Sequence, residues 1–163
     1  LDITTFNICE TIVQTVNTLE GTAAKKEISF VLDYNTQKEL LVEADESKIH
    51  QVLYNLIDNA VKFSHNNSEI KISLRKKGAK VFVSVKDSGI GIPKESLNKV
   101  FDRFYKTDIS RGKDKRGTGL GLSISKEIIQ AHNQTINVVS TVDVGTEFVF
   151  TLKYHSKKQE ASS

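Results

Sequence analysis

Apolar residues recur along this chain with two different periods, which predict helices and strands. The clearest helical segment spans residues 46–64, where apolar residues recur at i, i+3, i+4 and i+7. The residues that form this apolar face are Ile49, Val52, Leu53, Leu56, Ile57, Ala60 and Val61. Asp45 precedes the segment and is a favourable N-cap residue. Two further helices are predicted over residues 8–24 and 120–131.

Alternation of apolar and polar residues predicts strands between these helices. Residues 70–76 and 80–86 alternate on either side of Lys77-Gly78-Ala79, which is the pattern of a β-hairpin. Residues 135–140 and 146–153 predict a second hairpin near the end of the chain. Shorter strands are predicted over residues 1–7, 28–32 and 40–42, and Pro93 suits the start of a short helical turn.

Composition indicates an ordinary globular domain. The chain has 163 residues, of which 38% are hydrophobic and 26% charged, so we expect one soluble domain over residues 1–155 and a disordered tail over 156–163. The net charge of +3 is too small to indicate nucleic-acid binding. Cys9 is the single cysteine, and its helical surroundings predict a buried structural thiol. No segment resembles a signal peptide or a membrane span.

A polar stripe borders the apolar face of the helix predicted over residues 46–64. Asn55, Asn59 and Lys62 are spaced i, i+4 and i+7, and successive helical residues turn by roughly 100°, so these side chains lie together. Amide oxygens suit Mg²⁺, which takes its other ligands from water and phosphates, and lysine supplies a point charge for phosphate. Taken alone, the stripe is better explained as solvated surface. Its interpretation as a metal and phosphate site depends on two glycine-containing segments further along.

The first of these segments is Asp87-Ser88-Gly89-Ile90-Gly91, which follows a strand-like run at residues 81–85. An ionised carboxylate only accepts hydrogen bonds, so Asp87 can accept one from the 6-amino group of adenine, which guanine lacks at that position. Glycines allow a backbone to approach a ligand closely and to adopt positive φ. Taken alone, however, the segment is better explained as a tight turn.

The second segment is Gly117-Thr118-Gly119-Leu120-Gly121, which leads into the helix predicted from residue 120. A turn of this kind aims backbone N–H groups and the positive end of a helix at phosphate oxygens. Its spacing matches neither a P-loop nor the dinucleotide-binding fingerprint. A flexible hinge is the alternative interpretation. Both roles are compatible, because the charged residues 106–116 are expected to form a mobile lid just before it.

The three blocks in this order, with Phe101-Asp102-Arg103-Phe104-Tyr105 between the last two, resemble the catalytic ATP-binding domain of bacterial sensor histidine kinases. They resemble the N box, G1 box, F box and G2 box of that family, and Gly145-Thr146-Glu147-Phe148 resembles its last glycine signature. The resemblance covers residues 1–154. Two features depart from it. Residues 132–134 are His-Asn-Gln where many relatives have His-Gly-Gly, and no segment resembles the helix that carries the phospho-acceptor histidine.

The resemblance implies a two-layer α/β sandwich of the GHKL type, in which a mixed, largely antiparallel sheet is backed by three helices and an ATP lid covers the nucleotide. It also implies transfer of the γ-phosphoryl group of Mg·ATP to a histidine outside this chain. Asn55 and Lys106 are the expected catalytic residues, with Asn55 and Asn59 at the metal. Nucleotide contacts are expected from Asn59, Lys62, Phe63, Asp87, Gly89, Gly91, Phe104, Tyr105, Arg116, Gly117, Thr118, Gly119, Leu120, Gly121 and Thr146.

The resemblance also predicts the partners of the chain. The acceptor histidine is expected on a separate dimerisation domain of the same receptor, with a response regulator reached indirectly. The chain itself is expected to be a monomeric cytoplasmic domain of a membrane-anchored receptor, without contact to nucleic acid or membrane. Its own histidines, His50, His65, His132 and His155, lack the features of family acceptors. The isolated chain is therefore expected to bind ATP without phosphorylating itself.

Three alternatives to a histidine kinase follow from the same blocks. ATP-hydrolysing relatives of the gyrase, mismatch-repair and heat-shock-chaperone class place a glutamate base where this chain has Asn55, and an amide cannot abstract a proton from water. Serine-kinase relatives generally lack an aromatic block like that at residues 101–105. A nucleotide-binding module without catalysis is the third alternative, and the intact blocks argue against it.

Overall fold

Three α-helices pack on a seven-stranded sheet in the computed structural model, which describes residues 1–34, 39–102 and 121–156. The helices are α1 (Ile8–Ala24), α2 (Glu46–Phe63) and α3 (Gly121–Ala131), and a 3-10 helix (Lys94–Lys99) follows Pro93. The strands are β1 (Thr4–Asn7), β2 (Ser29–Asp33), β3 (Leu41–Ala44), β4 (Glu69–Lys77), β5 (Lys80–Asp87), β6 (Ile136–Thr141) and β7 (Gly145–Tyr154). Every helix and strand predicted within the described ranges is thus present.

The sheet has the strand order β1-β3-β7-β5-β4-β2, with β6 also paired to β7. Neighbouring strands run antiparallel, except that β2 is parallel to β4. The predicted mixed, largely antiparallel sheet backed by three helices is therefore confirmed. The pairing of Asp87 with Thr146 places the end of β5 beside the start of β7, so the segments after β5 and before β7 meet at one edge of the fold.

The first strand is shorter than predicted, because it begins at Thr4 instead of Leu1. Its partner β3 has only four residues, which pair with Thr4 to Asn7. Beyond that ladder, the backbone N–H of Asp2 donates to the Asp45 carboxylate at 3.0 Å. The chain start is therefore held by the N-cap of α2, and the polar tail predicted from residue 156 lies almost wholly outside the described residues.

The apolar face predicted for α2 is the face that it buries. All of its predicted residues are at most 3% exposed, and each fully buried Leu, Ile or Val contributes about 1.5–3 kcal/mol relative to an exposed one. Asp45 caps the helix by accepting the backbone N–H of Lys48 at 3.3 Å. The core therefore holds α2 rigidly, and Asn55, Asn59 and Lys62 lie half-buried at its edge, as the spacing predicts.

The thiol of Cys9 is buried in α1, as predicted, and burial raises its pKa. Among the described residues, no helix combines the length and the apolar character needed to cross a bilayer.

The turn after α3 shows how the chain accommodates its His-Asn-Gln sequence. Asn133 has a φ of 57°, a left-handed conformation that glycine adopts freely and asparagine tolerates. His132 bonds through Nδ1 to the Ile128 carbonyl at 2.8 Å, and its Nε2 accepts the N–H of Asp45 at 3.0 Å. The turn is therefore kept without glycine, and His132 is a packed histidine that ties the end of α3 to the start of α2.

Candidate nucleotide site

Asn55 is the residue that joins α2 to the start of α3. Its amide nitrogen Nδ2 donates to the Gly121 carbonyl at 3.2 Å and to Ser125 Oγ at 3.3 Å. Ser125 is fully buried, and its own hydroxyl donates to the Gly121 carbonyl at 2.9 Å. The nitrogen side of the Asn55 amide is therefore committed to α3, and with respect to the described residues Oδ1 is the side of the amide that can bind a ligand.

The rest of the polar stripe on α2 carries an ion pair. Lys62 Nζ lies 3.1 Å from Asp58 Oδ2, and their side chains are 37% and 24% exposed. Pairs this exposed contribute about 0–1 kcal/mol, so a phosphate group can compete with Asp58 for the ammonium. Asn59, the residue after Asp58, is also half-buried on this helix. The predicted stripe is thus present, and its lysine is paired with Asp58, which the spacing of the stripe did not indicate.

The loop after β5 packs directly on the end of α2. The backbone N–H of Ile90 donates to the Phe63 carbonyl at 3.2 Å. A Cβ on Gly89 would lie 2.0 Å from that same oxygen, so a side chain at this position would push the loop away from α2. Phe63 therefore contributes its backbone to the site, and Gly89 is required for the close approach of the two segments.

The second glycine of this loop anchors it to the β6–β7 turn. Gly91 has a φ of 74°, and a Cβ there would lie 2.2 Å from the Thr141 carbonyl. The Asp143 N–H donates to the Ile90 carbonyl at 2.9 Å, and the Ile92 N–H donates to Ser140 Oγ at 2.8 Å. Both glycines thus have a packing role, and their contacts to nucleotide stay predictions.

Asp87 is the buried carboxylate of the site. Its Oδ1 accepts the backbone N–H groups of Gly89 at 2.9 Å and Thr146 at 3.3 Å. Burial raises the pKa of Asp87, while these two donors and the charge of His65 oppose the rise. Both donors reach the same oxygen, so within the described residues Oδ2 is the oxygen placed to accept from a ligand. Thr146, also buried, thereby orients Asp87 through its backbone.

Part of the predicted site falls on residues 103–120, outside the described ranges. These predictions are the lid at residues 106–116 and the contacts from Phe104, Tyr105, Lys106, Arg116, Gly117, Thr118, Gly119 and Leu120. Of the aromatic block, Phe101 is described. Its ring packs edge-on against Phe148 with centroids 6.0 Å apart, and Lys126 Nζ lies 5.3 Å from its centroid. Phe101 therefore anchors the start of this segment to the core.

Sequence reasoning missed several residues that organise the site. Ser125 holds Asn55, Ser140 holds the loop after β5, and Lys26 donates to the carbonyls of Val61 and Lys62 at the end of α2. Serine and lysine are common on surfaces, so their types gave no signal. The i+4 spacing of Ser125 from Gly121 was the one hint, because a helical serine can donate to the carbonyl four residues before it.

Comparisons with known proteins agree with this arrangement. Residues 44–156 match the family model described as histidine kinase-, DNA gyrase B-, and HSP90-like ATPase. The chain is 44% identical over 125 residues to sensor histidine kinase WalK of Bacillus subtilis, which covers 76% of this chain and 20% of WalK. It is similar to the catalytic domain of histidine kinase ThkA, with a TM-score of 0.82, 36% identity, and coverage of 94% of this chain and 96% of that domain.

A second ThkA structure, of the kinase in complex with response regulator protein TrrA, matches with a TM-score of 0.78 and 34% identity. The match covers 96% of this chain and 43% of that ThkA chain, so in both kinases the matched region is one part of a longer protein. Because the family model, the sequence relatives and the fold all agree, this chain belongs to the histidine kinase-, DNA gyrase B- and HSP90-like ATPase family, as an ATP-binding catalytic domain of the sensor histidine kinase type.

Proposed function

We propose that this chain transfers the γ-phosphoryl group of Mg·ATP to a histidine on a separate dimerisation domain of the same receptor. The observation that carries the proposal is the amide of Asn55 at the junction of α2 and α3. The hydrolytic relatives have a glutamate base at this position, whereas an amide cannot deprotonate water. Transfer to an imidazole nitrogen needs no such base, because neutral imidazole already carries a nucleophilic lone pair.

The adenine end of the nucleotide is assigned to Asp87. Its Oδ1 is held by Gly89 and Thr146, so Oδ2 can accept the 6-amino group of adenine. Guanine has a carbonyl at that position, which would face a buried carboxylate without a proton between them. A mispaired buried polar group costs about 1–3 kcal/mol, which is enough to distinguish the two bases.

The donor set at the other end of the site fits Mg²⁺. Within the described ranges, His, Cys, Asp and Glu side chains form no group of three or more that could hold a metal. Mg²⁺ commonly uses few protein ligands and takes the remainder from water and substrate phosphates. Asn55 would hold it through Oδ1, with Asn59 beside it on α2. When bound, the ion neutralises charge on the phosphates during transfer.

Phosphate binding is assigned to Lys62 on α2 and to residues that precede or begin α3 in the sequence. Lys62 can exchange its weak pair with Asp58 for a phosphate oxygen. Lys106, Arg116 and residues 117–121 are proposed to contact the same phosphates. In the transfer itself, the bond from the γ-phosphorus to the β,γ-bridging oxygen breaks as a bond to the imidazole nitrogen forms, and ADP leaves. The chain's task is to position and to neutralise charge, which is most of what this reaction requires.

The acceptor histidine is proposed to lie outside this chain. His132 uses both ring nitrogens within the fold, and His155 Nδ1 lies 3.3 Å from Glu43. The complex of ThkA with TrrA supports a response regulator as the later recipient of the phosphoryl group. We further infer that the chain is a cytoplasmic domain of a membrane-anchored receptor, because the reaction consumes ATP and the relatives are named sensor kinases.

A reconstitution experiment tests this proposal. The chain is mixed with the dimerisation domain of its receptor and γ-labelled ATP, and label on each polypeptide is measured over time. Label should appear on the dimerisation domain alone, and it should be lost in acid and retained in alkali, as expected for phosphohistidine. Rapid ATP hydrolysis by the chain without the acceptor, or acid-stable label, would place it with the ATPases or the serine kinases.

A further inference from the structure

Ser125 lies at the junction of α2 and α3, where a buried hydroxyl faces a proposed metal ligand. It is fully buried on the first turns of α3. Its Oγ makes two hydrogen bonds: it donates to the Gly121 carbonyl at 2.9 Å and accepts from Asn55 Nδ2 at 3.3 Å. The Gly121 carbonyl in turn accepts from Asn55 Nδ2 at 3.2 Å. The three groups therefore form a closed triangle of hydrogen bonds.

The direction of these bonds determines which side of the Asn55 amide faces α3. A serine hydroxyl has a single proton, and here that proton goes to the Gly121 carbonyl. Toward Asn55, Ser125 can then only accept. The amide nitrogen is a donor, and it donates to both acceptors that α3 presents. An amide turned by 180° would place Oδ1 against the Gly121 carbonyl oxygen, and Ser125 could donate to Oδ1 only by giving up its own bond to that carbonyl.

We propose that Ser125 is a positioning residue that keeps Oδ1 of Asn55 turned toward the metal-bound nucleotide. The inference rests on the proposed function, because it assigns the supporting contact of the same metal site. Gly121 contributes to this arrangement through its carbonyl, which accepts from both Asn55 and Ser125. A Cβ at Gly121 would lie 3.7 Å from Asn55 Cγ, which is an ordinary contact, so crowding does not explain the arrangement.

The test compares ATP binding by calorimetry in excess Mg²⁺ and in excess chelator. Ser125→Ala removes one acceptor from Nδ2 and should weaken binding in Mg²⁺ by about 5- to 10-fold, as expected for loss of one hydrogen bond. Binding in chelator should stay as in the wild type. Ser125→Thr keeps the hydroxyl and should restore the Mg²⁺-dependent gain. Equal losses in both conditions, or no loss, would overturn the inference.

Thr15→Val is the matched control for loss of a buried helical hydroxyl. Thr15 is also fully buried, and its hydroxyl donates to the carbonyl four residues before it, Thr11, at 2.8 Å. It lies on α1, outside the site. This variant should lose stability without changing the effect of Mg²⁺ on ATP affinity. If it reduced the Mg²⁺ effect as Ser125→Ala does, the effect at Ser125 would be one of general stability and the inference would fail.

Asn55→Ala separates this inference from the proposed function. If Asn55→Ala binds Mg·ATP as the wild type does, the metal assignment itself is wrong. If it loses the Mg²⁺ effect while Ser125→Ala keeps it, only the role of Ser125 is refuted. Ser125→Cys serves if the alanine variant does not fold, because it keeps the volume with a weaker acceptor and should lose part of the Mg²⁺ effect.

A second readout needs no nucleotide. The side-chain amide protons of Asn55, assigned by their absence in Asn55→Ala, should exchange slowly with water in the wild-type chain because the amide nitrogen donates to Gly121 and Ser125. They should exchange faster in Ser125→Ala and slowly again in Ser125→Thr. Unchanged exchange in Ser125→Ala would show that the hydroxyl does not hold the amide and would overturn the inference.

Discussion

Asp87 is buried, yet its proposed contact with adenine requires the ionised carboxylate. Burial raises its pKa, and the N–H groups of Gly89 and Thr146 limit the rise. Whether the Asp87 carboxyl carries a proton therefore affects both the affinity for nucleotide and the stability of the fold.

The first prediction is a pH dependence that Asp87→Asn removes. Because the pKa is raised in the folded state, the folded chain keeps the proton over a pH window in which the unfolded chain has lost it. Raising the pH through that window therefore lowers the free energy of unfolding, while ionisation strengthens binding of the adenine amine. Wild-type affinity for ATP should fall on acidification through the raised pKa, and Asp87→Asn should bind weakly at every pH.

Calorimetric titration of ATP at several pH values, wild type against Asp87→Asn, measures this difference. Protonation of the nucleotide itself affects both proteins equally. The difference between the two affinity curves therefore reports the ionisation of Asp87. Parallel affinity curves for the two proteins would show that the proton on Asp87 does not matter to binding.

The second prediction concerns Gly91, where φ is 74° and a Cβ would lie 2.2 Å from the Thr141 carbonyl. The left-handed conformation alone costs a non-glycine residue about 1–2 kcal/mol, and the contact adds to that cost. Gly91→Ala should therefore lower the free energy of unfolding in urea by at least about 2 kcal/mol.

Gly21→Ala is the control for the change at Gly91. Gly21 lies within α1, and a Cβ there meets nothing within 4 Å. Alanine should stabilise that helix by about 0.5–1 kcal/mol. If Gly91→Ala were as stable as Gly21→Ala, the loop would have no strict need for glycine.

At the scale of elements, the turn between α3 and β6 connects sequence and packing most clearly. Asn133 adopts the left-handed conformation and Gln134 Oε1 accepts the Thr151 hydroxyl at 2.6 Å. The sequence His-Asn-Gln therefore supplies the conformation through Asn133 and adds a side-chain contact to β7 through Gln134.

The third prediction follows from that turn. Asn133→Gly should change the free energy of unfolding little, because glycine adopts φ near 57° without strain. Asn133→Ala should lower it by about 1–2 kcal/mol. Urea unfolding of the two variants measures the contrast, and equal stability of the two would mean that the turn relaxes to a different conformation.

The elements were predictable where one physical pattern dominated. The buried face of α2 could be predicted from the spacing of its apolar residues, since a helix that packs on a core needs a continuous apolar stripe. The buried face of α3 includes Ser123 and Ser125 as well as Ile128 and Ile129. Apolar spacing cannot show such residues, because it does not distinguish a serine that will be buried from one that will face solvent.

For the whole molecule, family resemblance located the blocks, and the fold showed how they meet. α2 contacts α3 through Asn55 and contacts the loop after β5 through Phe63. The sequence indicated Asn55 by its place in a polar stripe, but not the direction of its amide. The close approach of Gly89 to Phe63 could not be predicted either, because these residues are far apart in sequence and meet only through the packing of α2 on the sheet.

Together, the polar stripe on α2, the loop after β5 and the start of α3 are proposed to form one adenine-nucleotide site. Equilibrium competition between ATP and GTP for the purified chain, in Mg²⁺ and at neutral pH, tests it most directly. ATP should bind about 5- to 150-fold more tightly than GTP, since a mispaired buried carboxylate costs about 1–3 kcal/mol. Equal affinity for ATP and GTP, or no binding of either, would contradict it.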